Sequence, residues 1–357
     1  MANLDHLFKK FNQSIKLTDE KRNILMNLRD SLRDRMKINF MQIPYEQRGM
    51  MELYFQTQGS IIMDTIINPI LEDYDLDDGV YFQGKLKPEE TPLPSVFHTW
   101  VLNAVDKHNE YEKITDKPTC VRVKYKIGCH IDIPIYYADG YYSPDLAETV
   151  KGWTLSNPVE FIAWFEEKAG SGFQKAYLYE ALKYKEPYEK WLTDIRKSDC
   201  QLRRLVRYMK AWADVKKSEM PCGIIMTILV AENFSLNQSD DVALRDTLVN
   251  IKKYLQQNGF RCPRPTSPVG EDLFASTSHK DMEYFKSALD SLIESANNAI
   301  SSISEVDSCK EWSKHFGSRF PCHLAKVEVT PETNKQPNIE SLKRVAGTQQ
   351  PWCPRKK

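Results

Sequence analysis

The chain has no apolar run of about 18 residues, the length a membrane-spanning helix requires, so no membrane contact is expected. Neither sign of charge is in excess, with 49 basic residues against 49 acidic ones. A stable nucleic-acid partner needs a basic field, and none is expected here, although a locally basic groove fits the same balance. The opening residues, Met1-Ala2-Asn3-Leu4-Asp5, lack the charged-then-apolar pattern of a secretory signal. No two cysteines have the Cys-x-x-Cys spacing. The eight stand apart at Cys120, Cys129, Cys200, Cys222, Cys262, Cys309, Cys322 and Cys353. Without a signal they read as reduced thiols of a cytoplasmic protein. Cys309, His315, Cys322 and His323 do not match a familiar zinc spacing. No internal repeat is visible.

What is present suits a globular protein of two domains or one bilobal unit, with 357 residues and 41% hydrophobic content. Apolar spacing predicts helices over 3–38, with a start at Thr18-Asp19-Glu20, and over 96–108, 158–169, 198–216, 222–234, 242–258 and 280–302. Strands are predicted over 75–83, 120–125 and 130–136, the last two as a hairpin turning at Gly128. Stretches 85–95 and 259–271 read as loops. From Thr330 onward Pro331, Pro337, Pro351 and Pro354 punctuate a polar tail, read as flexible. The fold class is therefore α+β: a helix and a mixed core over 1–155, a helical lobe over 156–330, and a tail over 331–357.

The chemistry concentrates at Gln58-Gly59-Ser60 and Asp75-Leu76-Asp77-Asp78-Gly79. On a strand, residues i and i+2 share a face, so Asp75 and Asp77 present two carboxylates side by side while Leu76 turns to the core. Carboxylates that close repel unless a cation lies between them. Mg²⁺ binds through one or two carboxylates plus substrate phosphates. Gly59 lets a backbone approach a phosphate, Ser60 adds a hydroxyl, and a helix-like run over 61–67 would aim its N–H groups at it. Asp132 is a third carboxylate, set among apolar neighbours in His130-Ile131-Asp132-Ile133-Pro134. A charge there is costly unless paired or metal-bound. If its strand lies beside that of Asp75, the three acids form the two-metal arrangement of phosphoryl or nucleotidyl transfer.

Gly-Ser, then Asp-x-Asp on a strand, then one Asp on a later strand is the pattern of the DNA-polymerase-beta-like nucleotidyltransferases. With Cys129-His130-Ile131-Asp132-Ile133-Pro134-Ile135-Tyr136 and Leu205-Val206-Arg207-Tyr208-Met209-Lys210-Ala211-Trp212, the chain resembles the bacterial cGAS/DncV-like nucleotidyltransferases, or SMODS family, over roughly residues 40–300. The resemblance implies a bilobed enzyme with its site in the cleft. It implies that nucleoside triphosphates, ATP and GTP foremost, are joined into a cyclic oligonucleotide messenger for anti-phage (CBASS) defence, a purine-containing cyclic dinucleotide such as a cGAMP, read by a downstream effector. By position, Asp75, Asp77 and Asp132 would be catalytic and bind two Mg²⁺ ions, with Mn²⁺ as a substitute. Gln58, Gly59, Ser60 and Lys210 would bind nucleotide. Where relatives often carry a hydroxyl residue beside the triphosphate, this chain has Cys222.

Each sharp reading has a plain counterpart. Asp78 should face away from the pair and cap a turn before Gly79. Lys210 lies on a basic helix whose charges are commonly solvated, and Arg203, Arg204 and Arg207 read as surface or inter-lobe ion pairs. His130 reads as a packed neighbour, and Tyr136, Tyr137, Tyr141 and Tyr142 as either base-stacking or packing groups. Two other functions stay open: an RNA- or tRNA-extending nucleotidyltransferase, and a non-catalytic binding module.

Overall fold

A computed structural model describes residues 2–70, 73–84, 91–106, 108–138, 144–170, 199–216 and 219–326. The expected 3–38 helix is two helices, α1 (Asp5–Ile15) and α2 (Asp19–Phe40). They part at Thr18, whose hydroxyl caps α2 by accepting the Lys21 N–H at 3.3 Å. A short α3 (Tyr45–Arg48) leads into a seven-stranded sheet. Its strands are β1 (Glu52–Gln58), β2 (Tyr74–Gln83), β3 (Tyr111–Lys117), β4 (Cys120–Tyr125), β5 (Cys129–Ala138), β6 (Asp145–Glu148) and β7 (Gly152–Leu155), with α4 (Pro94–Val105) between β2 and β3.

The main strands run in the order β1-β2-β5-β4-β3, with β6 on β5 and β7 on β6. Among the described residues only β2 and β5 pair in parallel. The β4–β5 hairpin turns at Gly128, whose φ of 78° suits glycine. Pro134 would cost a central strand a ladder bond. It falls where β4 ends and where the β2–β5 register skips from Asp132 to Ile135.

Alternation along β2 sorts its side chains. Leu76, Val80 and Phe82 are buried on the back of the sheet, where Phe82 packs edge-on to Phe40 of α2 and Phe97 of α4 at 5.4 and 4.9 Å. Asp75, Asp77 and Tyr81 take the front. Asp78 does face away from the acidic pair, but no turn is there to cap. The strand continues through Gly79, and Asp78 is held by Arg33 of α2 (Nε to Oδ2, 2.7 Å) and by the Thr57 hydroxyl at 3.0 Å.

The second half is helical: α5 (Pro158–Lys168), α6 (Gln201–Lys216), α7 (Gly223–Glu232), α8 (Asp240–Gln257), α9 (His279–Ser301) and α10 (Glu305–Phe316). Helix α1 packs here, its Phe8 ring 5.2 Å from Tyr208, 4.9 Å from Trp312 and 5.0 Å from Phe320. Among the described residues, no helix is long and apolar enough to cross a membrane.

Three expectations change. Cys309 and Cys322 are not reduced thiols but a disulfide, tying α10 to the turn behind it. Joined to each other, they offer a metal no thiolate. The 61–67 run is not a helix but one 3₁₀ turn, Gly59–Ile61, followed by irregular turns, so no helix N-terminus faces the Gly-Ser turn. The reading of Arg203 and Arg207 as surface or inter-lobe ion pairs narrows to the second: both are buried ion-paired groups between the two halves. The tail, Tyr141, Tyr142 and most of the 85–95 loop lie outside the described residues.

Candidate functional site

Parallel pairing of β2 with β5 sets Asp77 beside Asp132 and Asp75 beside His130. Register partners share a face, so Asp75, Asp77, His130 and Asp132 stand together on the front of the sheet. On the other side of β2, Gln58 ends β1 opposite Asp77. On the other side of β5, Arg122 of β4 lies opposite Asp132. Gln58, Asp75, Asp77, Arg122 and His130 line a cleft of about 960 Å³, together with Gly59, Ser60, Lys210 and Cys222, and Asp132 sits beside Asp77 at its floor without lining it.

Gly59 is held with φ of 70°, and a Cβ there would lie 2.2 Å from Oδ2 of Asp77. The turn and the carboxylate are therefore in close contact, and only glycine fits. Burial, then Asp75, then Asp132 raise the proton affinity of Asp77 well above the usual carboxylate range, against the pull of Lys210 and Arg122. A carboxylate so crowded by like charge favours a cation beside it.

Asp132 has one already. Arg122 grips it with both ends of the guanidinium, Nε to Oδ1 at 2.5 Å and Nη2 to Oδ2 at 2.6 Å, with the Lys117 amine 3.9 Å away. The bond to Asp132 in turn raises the Arg122 proton affinity. Arg122 was not singled out from sequence, yet the hairpin carried the signal. A turn at Gly128 that pairs Tyr125 with Cys129 must also pair Arg122 with Asp132.

Lys210 reaches the cleft from α6. Its amine donates to the Thr65 hydroxyl at 3.3 Å. Burial pushes its pKa down to about 8, against Asp75 and Asp77, which pull it up. Cys222 is the N-cap residue of α7, and a Cβ on the adjacent Gly223 would lie 3.4 Å from Cε of Lys210.

Gln58 is less free than a nucleotide ligand would be. Its amide donates to the Tyr136 hydroxyl at 3.2 Å and its oxygen accepts from Tyr81 at 3.4 Å. Tyr136 stacks on Tyr81, ring centres 4.6 Å apart, while Tyr137 turns to the back and bonds the Gly84 carbonyl at 2.9 Å. His130 is buried beside the acids, and burial first of all lowers its proton affinity. Its Nε2 has no hydrogen-bond partner among the described residues.

Among the described residues, no three His, Cys, Asp or Glu side chains are gathered into a metal cage. The reasons are local: Asp132 is turned to Arg122, and Asp77 lies against Gly59. The donor set still fits Mg²⁺, which takes hard oxygens from one or two carboxylates and the rest from phosphate and water.

Residues 53–136 match the family model described as cyclic GMP-AMP synthase DncV-like, nucleotidyltransferase domain. A cyclic GMP-AMP synthase of Escherichia albertii is 25% identical over 229 residues, 61% of this chain and 46% of that protein, so the chain spans about half the length of that relative. One of Vibrio cholerae is 27% identical over 307 residues, 74% of this chain and 67% of that protein. Among solved structures, Vibrio cholerae DncV with the linear intermediate pppA(3′,5′)pG superposes with a TM-score of 0.69 at 21% identity, covering 91% of this chain and 99% of that one. At that identity the likeness speaks for the fold.

Proposed function

We propose, on the premise that residues 53–136 match the DncV-like nucleotidyltransferase domain, that this protein is an enzyme that joins nucleoside triphosphates into a cyclic dinucleotide. ATP and GTP are the favoured substrates and a cyclic GMP-AMP the favoured product, in line with the relatives' names. The observation that carries the reading is the parallel register that sets Asp77 beside Asp132 on the face shared with Asp75. In this reading the N-terminal helix and catalytic core take residues 1–155 and the helical lobe 156–330. An effector that senses the product, in anti-phage defence, is the expected setting.

The oxygen of a ribose hydroxyl attacks the α-phosphorus of a bound triphosphate, the bond to pyrophosphate breaks, and the hydroxyl proton is lost. The linear intermediate turns round, and a second such attack closes the ring. Asp75 and Asp77 would hold two Mg²⁺ ions with Asp132, and the bound metal lowers the hydroxyl pKa and offsets charge on the leaving pyrophosphate. Gly59 brings backbone up to the phosphates, Ser60 offers its hydroxyl, and Lys210 supplies positive charge from the opposite wall. Gln58 acts indirectly, by bracing Tyr136 and Tyr81 at the cleft floor. Asp132 changes partner in this scheme, because Arg122 holds it in the free protein. Mass spectrometry after incubation with ATP, GTP, CTP and UTP and Mg²⁺ or Mn²⁺ tests the reading. A phosphatase-resistant cyclic product is expected. Linear products alone, or a ladder on added RNA, would overturn it.

The Lys210 contact gives a pH signature. The amine is charged below its pKa of about 8 and neutral above it. The kcat/KM for triphosphate, which reports the free enzyme, should therefore fall as pH rises through about 8. Lys210→Arg keeps its charge and should abolish that fall. A wild-type profile that stays flat to about pH 10, near the ordinary lysine value, would remove Lys210 from triphosphate binding.

A further inference from the structure

Arg203 and Arg207 are fully buried, and nothing in the two-metal scheme uses them. With Lys210 they stand at positions i, i+4 and i+7 of α6, which places all three on one helix face. That face meets three successive residues of the segment behind the Gly-Ser turn, in order. Arg203 donates to the Met63 carbonyl at 2.6 Å. Arg207 donates to the Asp64 carbonyl. Lys210 donates to the Thr65 hydroxyl at 3.3 Å. From the other side, Arg22 of α2 donates to the Ile61 carbonyl at 3.3 Å.

The hold passes to Ser60 through a single peptide group. The peptide whose carbonyl Arg207 takes has the Thr65 N–H at its other end. That N–H donates to the Ser60 carbonyl at 2.9 Å. Two residues before Thr65, the Met63 N–H donates to the Gly59 carbonyl at 3.3 Å. A cation on one end of a peptide strengthens the bond made at the other. Asp64 lies at the centre of the segment with φ of 51°, outside the ordinary range for a residue with a Cβ. Its carboxylate is tied to Lys16 at 2.8 Å and Arg22 at 2.7 Å. Burial works against that charge, but Arg207, Lys16 and Arg22 outweigh it and keep its proton affinity low. Such a conformation persists only where its surroundings over-determine it.

A purely cohesive role explains less. Buried ion pairs are poor stabilisers compared with apolar packing of the same volume. Arg203 is paired with Glu166, Nη1 to Oε1 at 2.8 Å, and Arg207 with Asp199. These acids neutralise the charges, and Nη1 of each arginine also reaches a loop carbonyl, while Nε of Arg207 donates to Asn12 at 2.8 Å.

We infer that Arg203 and Arg207 are positioning residues for triphosphate binding: from one face of α6 they fix the backbone behind Gly59 and Ser60, so that the turn and Lys210 form one preset cradle. This rests on the nucleotidyltransferase reading of the cleft. Without the clamp the cradle must be ordered by the substrate itself, and that ordering weakens affinity.

The test compares Arg207→Lys with Asp199→Asn. The first loses the forked reach to the Asp64 carbonyl. The second neutralises one acidic partner of Arg207, the other being Asp64, and leaves the arginine's donors to the loop in place. KM, kcat, melting temperature and the Kd of a non-hydrolysable triphosphate are measured for both. Arg207→Lys should raise KM and Kd about tenfold with kcat within about threefold, the pattern of lost ground-state binding. Asp199→Asn should lower the melting temperature without moving KM. Arg203→Lys should behave like Arg207→Lys and stands in for it if that variant does not fold. The inference is overturned if the lysine variants lose only heat stability, or if Asp199→Asn shifts KM as far as they do. A wild-type protein that binds no triphosphate would overturn the reading of the cleft, and this inference with it. Wild-type binding with an unmoved KM in the lysine variants overturns this inference alone.

Discussion

Asp77→Asn should abolish product formation and leave the protein at least as heat-stable as the wild type. The two effects have one cause. Asp77 lies on the cleft floor beside two other acids, and burial, Asp75 and Asp132 together raise its proton affinity well above that of an unfolded chain. The folded state thus binds this proton more tightly than the unfolded one. Ionised Asp77 costs stability that grows as pH rises from its unfolded pKa toward its folded one. Asparagine keeps the shape and removes the charge, so the melting temperature at neutral pH should rise by about 2 °C. The rate should fall by about a thousandfold or more, because in the proposed scheme the substitution removes a negative metal ligand where metal charge would carry the chemistry. Thermal denaturation and steady-state assays on one preparation check both. A variant that loses heat stability, or keeps activity within about tenfold of wild type, would contradict the assignment.

Gly59→Ala is the second large effect, and it arises from contact rather than charge. The added Cβ would lie 2.2 Å from the Asp77 carboxylate oxygen, far inside van der Waals distance. The backbone cannot easily yield, since φ of 70° already suits glycine and penalises alanine. Either the turn or Asp77 must move. A shift of about 1 Å at a reacting centre can cost about a hundredfold, and the strained backbone adds a stability loss of about 1–2 kcal/mol. Activity should drop at least that far in Gly59→Ala, with a lower melting temperature. In Gly49→Ala, an alanine at another left-handed glycine with nothing within 4 Å, stability should fall while activity persists. Equal activity in the two would show that the contact with Asp77 does not matter.

The acidic face was legible because it obeys strand arithmetic: i and i+2 on β2, and one acid in an apolar strand. The β4–β5 hairpin was legible from Gly128. Strand β3, Tyr-Glu-Lys-Ile-Thr-Asp-Lys, was not, because an edge strand can be polar on both faces and so loses the alternation that marks a half-buried one. Strands β6 and β7, four residues each, are too short to set up a period. The helix expected after Ser60 failed for another reason. Ile61, Ile62, Met63, Ile66 and Ile67 are apolar, but what holds their backbone is arginines from α2 and α6, distant in sequence. The same distance hid the burial of Arg203 and Arg207. Their acidic partners, Glu166, Asp64 and Asp199, are brought to them only by the fold.

The Arg122–Asp132 pair has a bearing on how the chain assembles. Its members are ten residues apart on one hairpin, so the pair closes as soon as the hairpin does. The acids of β2 have no such local partner. Between Asp77 and Asp132 in the chain lie α4, β3 and β4, so theirs is a non-local pairing of the kind that forms slowly. Asp132 therefore enters the sheet with its charge already balanced. Three acids can come together on one face without the full repulsion of three bare carboxylates, and the crowding that is left shows at Asp77, whose proton affinity burial, Asp75 and Asp132 raise.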